Sequence, residues 1–201
     1  MNIRGRKCLL AVTGLTMLFP AKIAGQQSLG LVTEFGPMYV RAFSGNGVAG
    51  RLSVAMSPSW MVFGATAGLG VHGSIGTVHS PSVWGTWMRV RAAGLHLSLD
   101  WELPHARLRP HVTLVGESMN ARWGSSIFKP ICYVTPEFPD CVPRGDTGLA
   151  GGVGAGTDVI LIRGLYGRLR VTRKWSDLRL PNDGAMWTGF FGLVYDWAAI
   201  P

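Results

Sequence analysis

From Trp187 to Trp197 the chain alternates strictly. Trp187, Gly189, Phe191, Leu193, Tyr195 and Trp197 fall on one face, and Thr188, Phe190, Gly192, Val194 and Asp196 on the other. A period of two puts successive side chains on opposite sides of a β-strand. The first face is apolar along its length and aromatic at both ends, which is the distribution a strand needs to cross a bilayer with an aromatic girdle at each interface.

The same period, punctuated by turn residues, divides the rest of the chain into extended segments. The first runs from Leu29 to Phe43 and ends at the turn cluster Ser44-Gly45-Asn46-Gly47. The second, Val48 to Met56, puts Val48, Leu52, Val54 and Met56 opposite Ala49, Arg51, Ser53 and Ala55. After Ser57-Pro58-Ser59 the third, Trp60 to Ser74, points Met61, Phe63, Leu69 and Val71 outward and Thr66 and His72 inward. A loop from Gly76 to Ser82 leads to a fourth segment reaching Trp101, in which Trp84, Met88 and Val90 are even-numbered but Leu95, Leu97 and Leu99 odd. Ala92-Ala93-Gly94 is therefore expected to be a β-bulge that shifts the phase by one. Segments from Arg109 to Arg122, Gly148 to Ile160, Tyr166 to Arg179 and Met186 to Trp197 complete a set of eight, with a long Pro-rich stretch from Trp123 to Thr147. An even number of strands joined by alternately short and longer connections predicts an all-β, up-and-down antiparallel barrel of eight transmembrane strands. The short turns then lie on the periplasmic side.

Composition changes the picture in one respect. The 201 residues are 47% hydrophobic and only 15% charged, with 28 glycines, and the mean hydropathy is positive. That is oily for a water-soluble domain, yet beyond the N-terminal region no segment approaches the roughly 18 consecutive apolar residues of a spanning helix. A barrel that shows lipid only alternate residues resolves this. Met1 to Gly25, with Arg4, Arg6 and Lys7 ahead of the uncharged run Cys8 to Phe19, reads as a secretory signal peptide, leaving residues 26–201 as one barrel domain. Its removal takes four cations and no acids, so the net charge of +8 falls to +4.

The opening Arg109-Pro110-His111-Val112, the glycine-rich strand from Gly148 to Asp158, the strand from Leu165 to Trp175 and the aromatic-ended last strand together resemble the small eight-stranded outer-membrane β-barrel family of the outer-membrane protein A type. The resemblance covers Leu29 to Trp197. It implies a monomer in the bacterial outer membrane, surrounded by outer-membrane lipid and inserted by the barrel-assembly machinery.

Candidate chemistry is sparse. His72-Gly73-Ser74 is similar to the His-x-Ser of membrane lipid A deacylases, but no acid occurs between His72 and Asp100 to orient the histidine. Gly151, Gly152, Gly154 and Gly156 do not fit a phosphate-loop spacing and are expected to make room for bulky neighbours. His79, His105 and His111 lack ligand spacing. Arg89, Arg91, Arg168, Arg170, Arg173 and Lys174 alternate with apolar residues, which suits a polar lumen and a membrane rim better than a nucleic-acid surface. The expectation is therefore no catalytic site, no cofactor, no metal, no nucleic-acid partner, and no wide pore, since eight strands enclose a space that side chains fill. The function expected is structural or surface contact in the cell envelope. The alternatives are a deacylase-like lipid-modifying enzyme and a lipocalin-like periplasmic lipid binder, the latter suggested by Gly85-Thr86-Trp87.

Two finer expectations follow. Cys132 and Cys141, the only cysteines after signal removal, sit in the longest loop with Pro136 and Pro139 between them and are expected to form a disulfide. Counting across the connections Leu161 to Leu165 and Leu180 to Ala185 predicts a lumen charge network running Asp158, Arg168, Arg170, Asp196.

Overall fold

A computed structural model describes residues 30–42, 45–57, 61–80, 86–103, 107–124, 145–178 and 185–199. The expected signal peptide and both Cys132 and Cys141 lie outside the described residues. Eight long strands are present: β1 (Gly30–Ala42), β2 (Gly45–Ser57), β3 (Ala65–Ser80), β4 (Thr86–Asp100), β5 (Leu108–Gly124), β6 (Gly145–Ile162), β7 (Leu165–Ser176) and β8 (Ala185–Asp196). Their order is β2-β1-β8-β7-β6-β5-β4-β3, every neighbour is antiparallel, and pairing of β2 with β3 closes the sheet into a barrel. Closure leaves no long strand with an unpaired edge, the condition for backbone to cross hydrocarbon without orphaned polar groups. Among the described residues the only helical element is a 3-10 turn, Trp197–Ala199.

Following paired residues around the barrel from Arg41 through Trp187, Arg173, Val153, Leu114, Leu97, Leu69 and Met56 returns to β1 at Leu31, a stagger of ten residues. With ordinary strand spacings, ten residues over eight strands tilt the strands by about 40° from the barrel axis. We call the end that carries Gly30 and Trp197 the lower end. A two-residue strand there, Met61–Val62, folds back on Ala65 and Thr66. Its turn needs positive φ at both central residues, and Phe63 adopts 51° beside Gly64 at 74°.

Outward positions form an apolar band. Leu31, Phe35, Leu52, Val54, Val71, Leu97, Leu114, Val153, Leu169 and Phe191 are exposed around it. Tyr195, Trp101 and Trp197 mark its lower edge by sequence position, and Tyr39, Trp175 and Trp187 its upper part. Trp60, the expected start of the third segment, lies outside the described residues. Met61 and Phe63, expected on the third long strand, instead occupy the exposed lower hairpin, Met61 on its two-residue strand and Phe63 in its turn.

The expected bulge in β4 is absent. Pairing with β3 runs unbroken from Ser80↔Thr86 to Thr66↔Asp100, and pairing with β5 is equally continuous. Even-numbered residues therefore point inward along the whole strand, so Met88 is 1% exposed while Arg89 and Arg91 face out. The phase conflict was one of polarity, not of register. Low on the barrel, apolar residues face out and polar ones in; toward the upper end this reverses. The recorded register shift lies elsewhere, at Ile160–Ile162 opposite β7. Single cysteines on this one strand test the reversal: with the protein in lipid vesicles, Leu97→Cys is expected to resist a water-soluble maleimide and Arg89→Cys to react fully, although both face outward. Equal labelling would exclude it.

Candidate functional site

The lumen holds the protein's concentrated chemistry. Inward parity on β1, β2, β5, β6 and β7 delivers Glu34, Arg51, Glu117, Asp158, Arg168, Arg170 and Lys174 to the interior, all buried. Glu34 lies at the centre. Its Oε1 accepts from Arg51 Nε at 3.0 Å and from Arg170 Nη2 at 2.6 Å, and its Oε2 from Arg168 Nη1 at 3.0 Å and Arg170 Nη1 at 3.1 Å. Arg168 also makes a bidentate pair with Asp158, 2.6 Å for both bonds, and reaches Asp100 at 3.3 Å. Higher up, Glu117 accepts from Lys174 Nζ at 2.7 Å and lies 2.8 Å from His72 Nε2. Four carboxylates, Glu34, Asp100, Glu117 and Asp158, thus meet four cations, Arg51, Arg168, Arg170 and Lys174. Balance of this kind is what makes buried charge tolerable, because an unmatched ion would bear its full desolvation cost.

The glycines of β6 make this crowding possible. A Cβ at Gly152 would lie 2.8 Å from Lys174 Cγ, and one at Gly156 2.7 Å from His111 Nε2 and 2.8 Å from Arg170 Cα. Above the charges the interior is apolar. Met38, Val40, Val78, Met88, Met119, Met186 and Phe190 form a buried layer, beneath whose rim a void of about 20 Å³ remains, room for little more than one water. Arg170 bridges the two tiers, its guanidinium 5.1 Å from the centre of the Phe190 ring. At the lower end an open vestibule of about 200 Å³ is bordered by Glu34, His96, Asp100, Asp158 and Arg168.

Of the expected network, Asp158 and Arg168 face each other directly, paired in register. Arg170 is paired in register with Phe190, and its charge partner is Glu34. Asp196 does not reach Arg170. It lies six residues farther down β8, where its backbone N–H donates to Gly164 O at 2.8 Å and its Oδ1 accepts from Ala198 N at 3.0 Å. The β7–β8 register sets this, since it pairs Leu165 with Tyr195 and so puts Asp196 at the rim. Glu34, Arg51 and Glu117 were not singled out from the sequence, and Lys174 was named only among the cations suited to a lumen or rim, although each is a charged residue on the inward parity of its strand. That parity was the available signal.

The acid missing from the His72-Gly73-Ser74 reading exists, but on β5: Glu117 bonds His72 across the lumen. The arrangement still lacks the features of a nucleophilic site. No hydrogen bond joins Ser74 to His72 among the described residues, Lys174 already occupies the other carboxylate oxygen, and both His72 and Glu117 side chains are 0% exposed. Asp100, His111 and Asp158 also converge closely enough to ligate a cation. Arg168 already supplies positive charge to both carboxylates there, so a divalent ion would be repelled by the guanidinium it must displace. Arg89, Arg91 and Arg173, by contrast, are outside the barrel.

No protein-family model matches the sequence, and no curated protein matches it. Solved structures do match in shape. The N-terminal β-barrel domain of Pseudomonas aeruginosa OprF superposes with a TM-score of 0.53 at 13% identity, covering 86% of this chain and 100% of that one. Neisserial surface protein A gives 0.54 at 9% identity, with coverage of 85% and 97%. The chain has the fold of the small eight-stranded outer-membrane barrels. At such identities the likeness is one of architecture, and the two-tier lumen of this outer-membrane-type barrel has to be understood from its own residues.

Proposed function

We propose that this protein is a closed barrel of the bacterial outer membrane, exported by the signal peptide Met1 to Gly25, with a structural or surface-contact role and without solute conduction or catalysis. The observation that carries the reading is the double closure of the lumen: the charge cluster around Glu34 beneath the layer of Met38, Met88, Met119 and Met186. A path for ions would have to open both. The band of outward apolar residues supports membrane residence, because sliding β7 by one position would turn Arg168 and Arg170 toward lipid at about 2–4 kcal/mol each. With the lower end in the periplasm, the longest loop, carrying Cys132 and Cys141, lies on the outer face as a surface for contact, bridged by a disulfide in that oxidising setting.

The deacylase-like alternative is disfavoured by a histidine sealed inside the barrel, where an acyl chain in the membrane has no access. The lipocalin-like alternative needs an apolar interior throughout, whereas here only the upper tier is apolar. Planar-bilayer recording tests the proposal: inserted protein is expected to give no steady unitary conductance in either polarity. A stable ohmic step surviving repurification would overturn it.

A further inference from the structure

The upper rim carries a charge pattern that the closed lumen does not require. Arg89 on β4 and Arg122 on β5 are direct cross-strand partners, both outward and both exposed. Arg91, two residues below Arg89, is exposed on the same face opposite Asn120. Like charges placed opposite one another in a sheet destabilise it unless an anion lies between them. Among the described residues the outward positions of β3, β4, β5 and β6 hold no carboxylate to serve as that anion. Asn120 is committed to Thr147, donating to its Oγ1 at 2.6 Å.

The height of the cluster identifies the anion. Arg91 lies ten residues above the lower-edge Trp101 that follows β4, and at about 2.5 Å of axial rise per tilted residue this lifts it about 25 Å. The hydrocarbon-facing band of such barrels is about 25 Å tall, so Arg91 meets the upper membrane edge, with Arg89 and Arg122 just above it. Around the barrel, Arg41, Trp187 and Arg173 form one continuous row of paired residues at the upper end of the band. Arg173 is held 5.2 and 5.4 Å from the Trp175 and Trp187 rings, and Arg89 lies 5.8 Å from the ring of Trp87. Stacked guanidiniums have lost part of their freedom already and present planar forks of donors, which fit phosphate oxygens in pairs.

We infer that the outward cluster Arg89, Arg91 and Arg122 is a recognition site for the phosphate of a membrane lipid headgroup, in the leaflet that meets the upper end of the barrel. This rests on the membrane reading above. The phosphate bridges Arg89 and Arg122 and relieves their repulsion, while the acyl chains run down the apolar face of β4 and β5 along Leu95, Leu97 and Leu114.

Tryptophan quenching by brominated lipid in reconstituted vesicles tests this with the full chain. In phosphatidylcholine vesicles the protein is expected to prefer brominated phosphatidic acid over brominated phosphatidylcholine. The preference should fall about fivefold for each of Arg89→Gln and Arg122→Gln, the factor expected of one basic residue near an anionic surface, with inorganic phosphate in the buffer leaving it unchanged. Both variants should keep their heat-dependent gel mobility, so that loss of folding is separated from loss of binding. Equal quenching by the two lipids, a preference indifferent to both substitutions, or displacement by inorganic phosphate each overturns the lipid site. Failure of the wild-type protein to insert into phosphatidylcholine overturns the membrane reading and the site together, whereas insertion without preference overturns the site alone.

Discussion

Glu34→Ala is expected to lower the free energy of unfolding by about 3–5 kcal/mol, the scale of leaving buried charges uncompensated. The carboxylate is 2% exposed and is the shared acceptor for Arg51, Arg168 and Arg170. Arg168 retains Asp158 when Glu34 is removed, but Arg51 and Arg170 lose their salt-bridge partner. Glu34→Gln, which preserves shape and removes charge, is expected to lose nearly as much, because the cost comes from the stranded guanidiniums and not from a cavity. Urea titration of the barrel in phospholipid vesicles measures both, and adding Arg51→Ala to Glu34→Ala should recover part of the loss through coupling. A loss under about 1 kcal/mol, the value of a hydrated surface pair, would mean that water reaches the cluster.

Met88→Ala is expected to cost about 2–5 kcal/mol, as is Met186→Ala, because each deletes a large side chain from a closed layer. Both methionines are 1% exposed. The double variant should lose less than the sum, since one cavity is shared. The closure proposed above makes the apolar tier the barrier to water from above. Thr188 lies on the inward face of β8 between Met186 and Phe190, and a Thr188→Cys probe should be unreactive in the otherwise native protein and reactive once Met88 and Met186 are alanine. Conductance should remain absent in the same variant, because the Glu34 cluster still blocks the lower lumen. A probe that reacts before the methionines are changed would show that the upper tier does not seal the barrel.

Much of the architecture was legible locally. Alternation is a property of neighbouring residues, so the eight strands, their approximate limits and the outward face of β8 follow from sequence windows of about ten residues. The parity that sends Arg168, Arg170 and Asp158 inward is equally local. The glycines at 152, 154 and 156 announce that something bulky passes close by, and Thr172, Lys174 and Arg170 are what passes.

Other features depend on closure. Which inward charge meets which is set by the stagger, and the ten-residue offset accumulates over eight strand pairs, so no single hairpin reveals it. Glu34 and Arg170 meet across 136 residues of chain because β1 and β7 both flank β8, while Asp196, correct in parity, falls at the rim. In the same way Glu117, from β5, supplies the acid that the neighbourhood of His72 in sequence lacks. Met88 shows the limit most plainly. Alternation by itself says that a strand has an apolar and a polar face, but not which faces the lumen, and equating apolar with lipid required a bulge that does not exist. The sequence alone determined the strands and their two faces, because those depend on adjacent residues. Only the tertiary structure decided inside from outside at each height and the partner of each buried charge, because those depend on where the closed, tilted barrel meets the membrane edge.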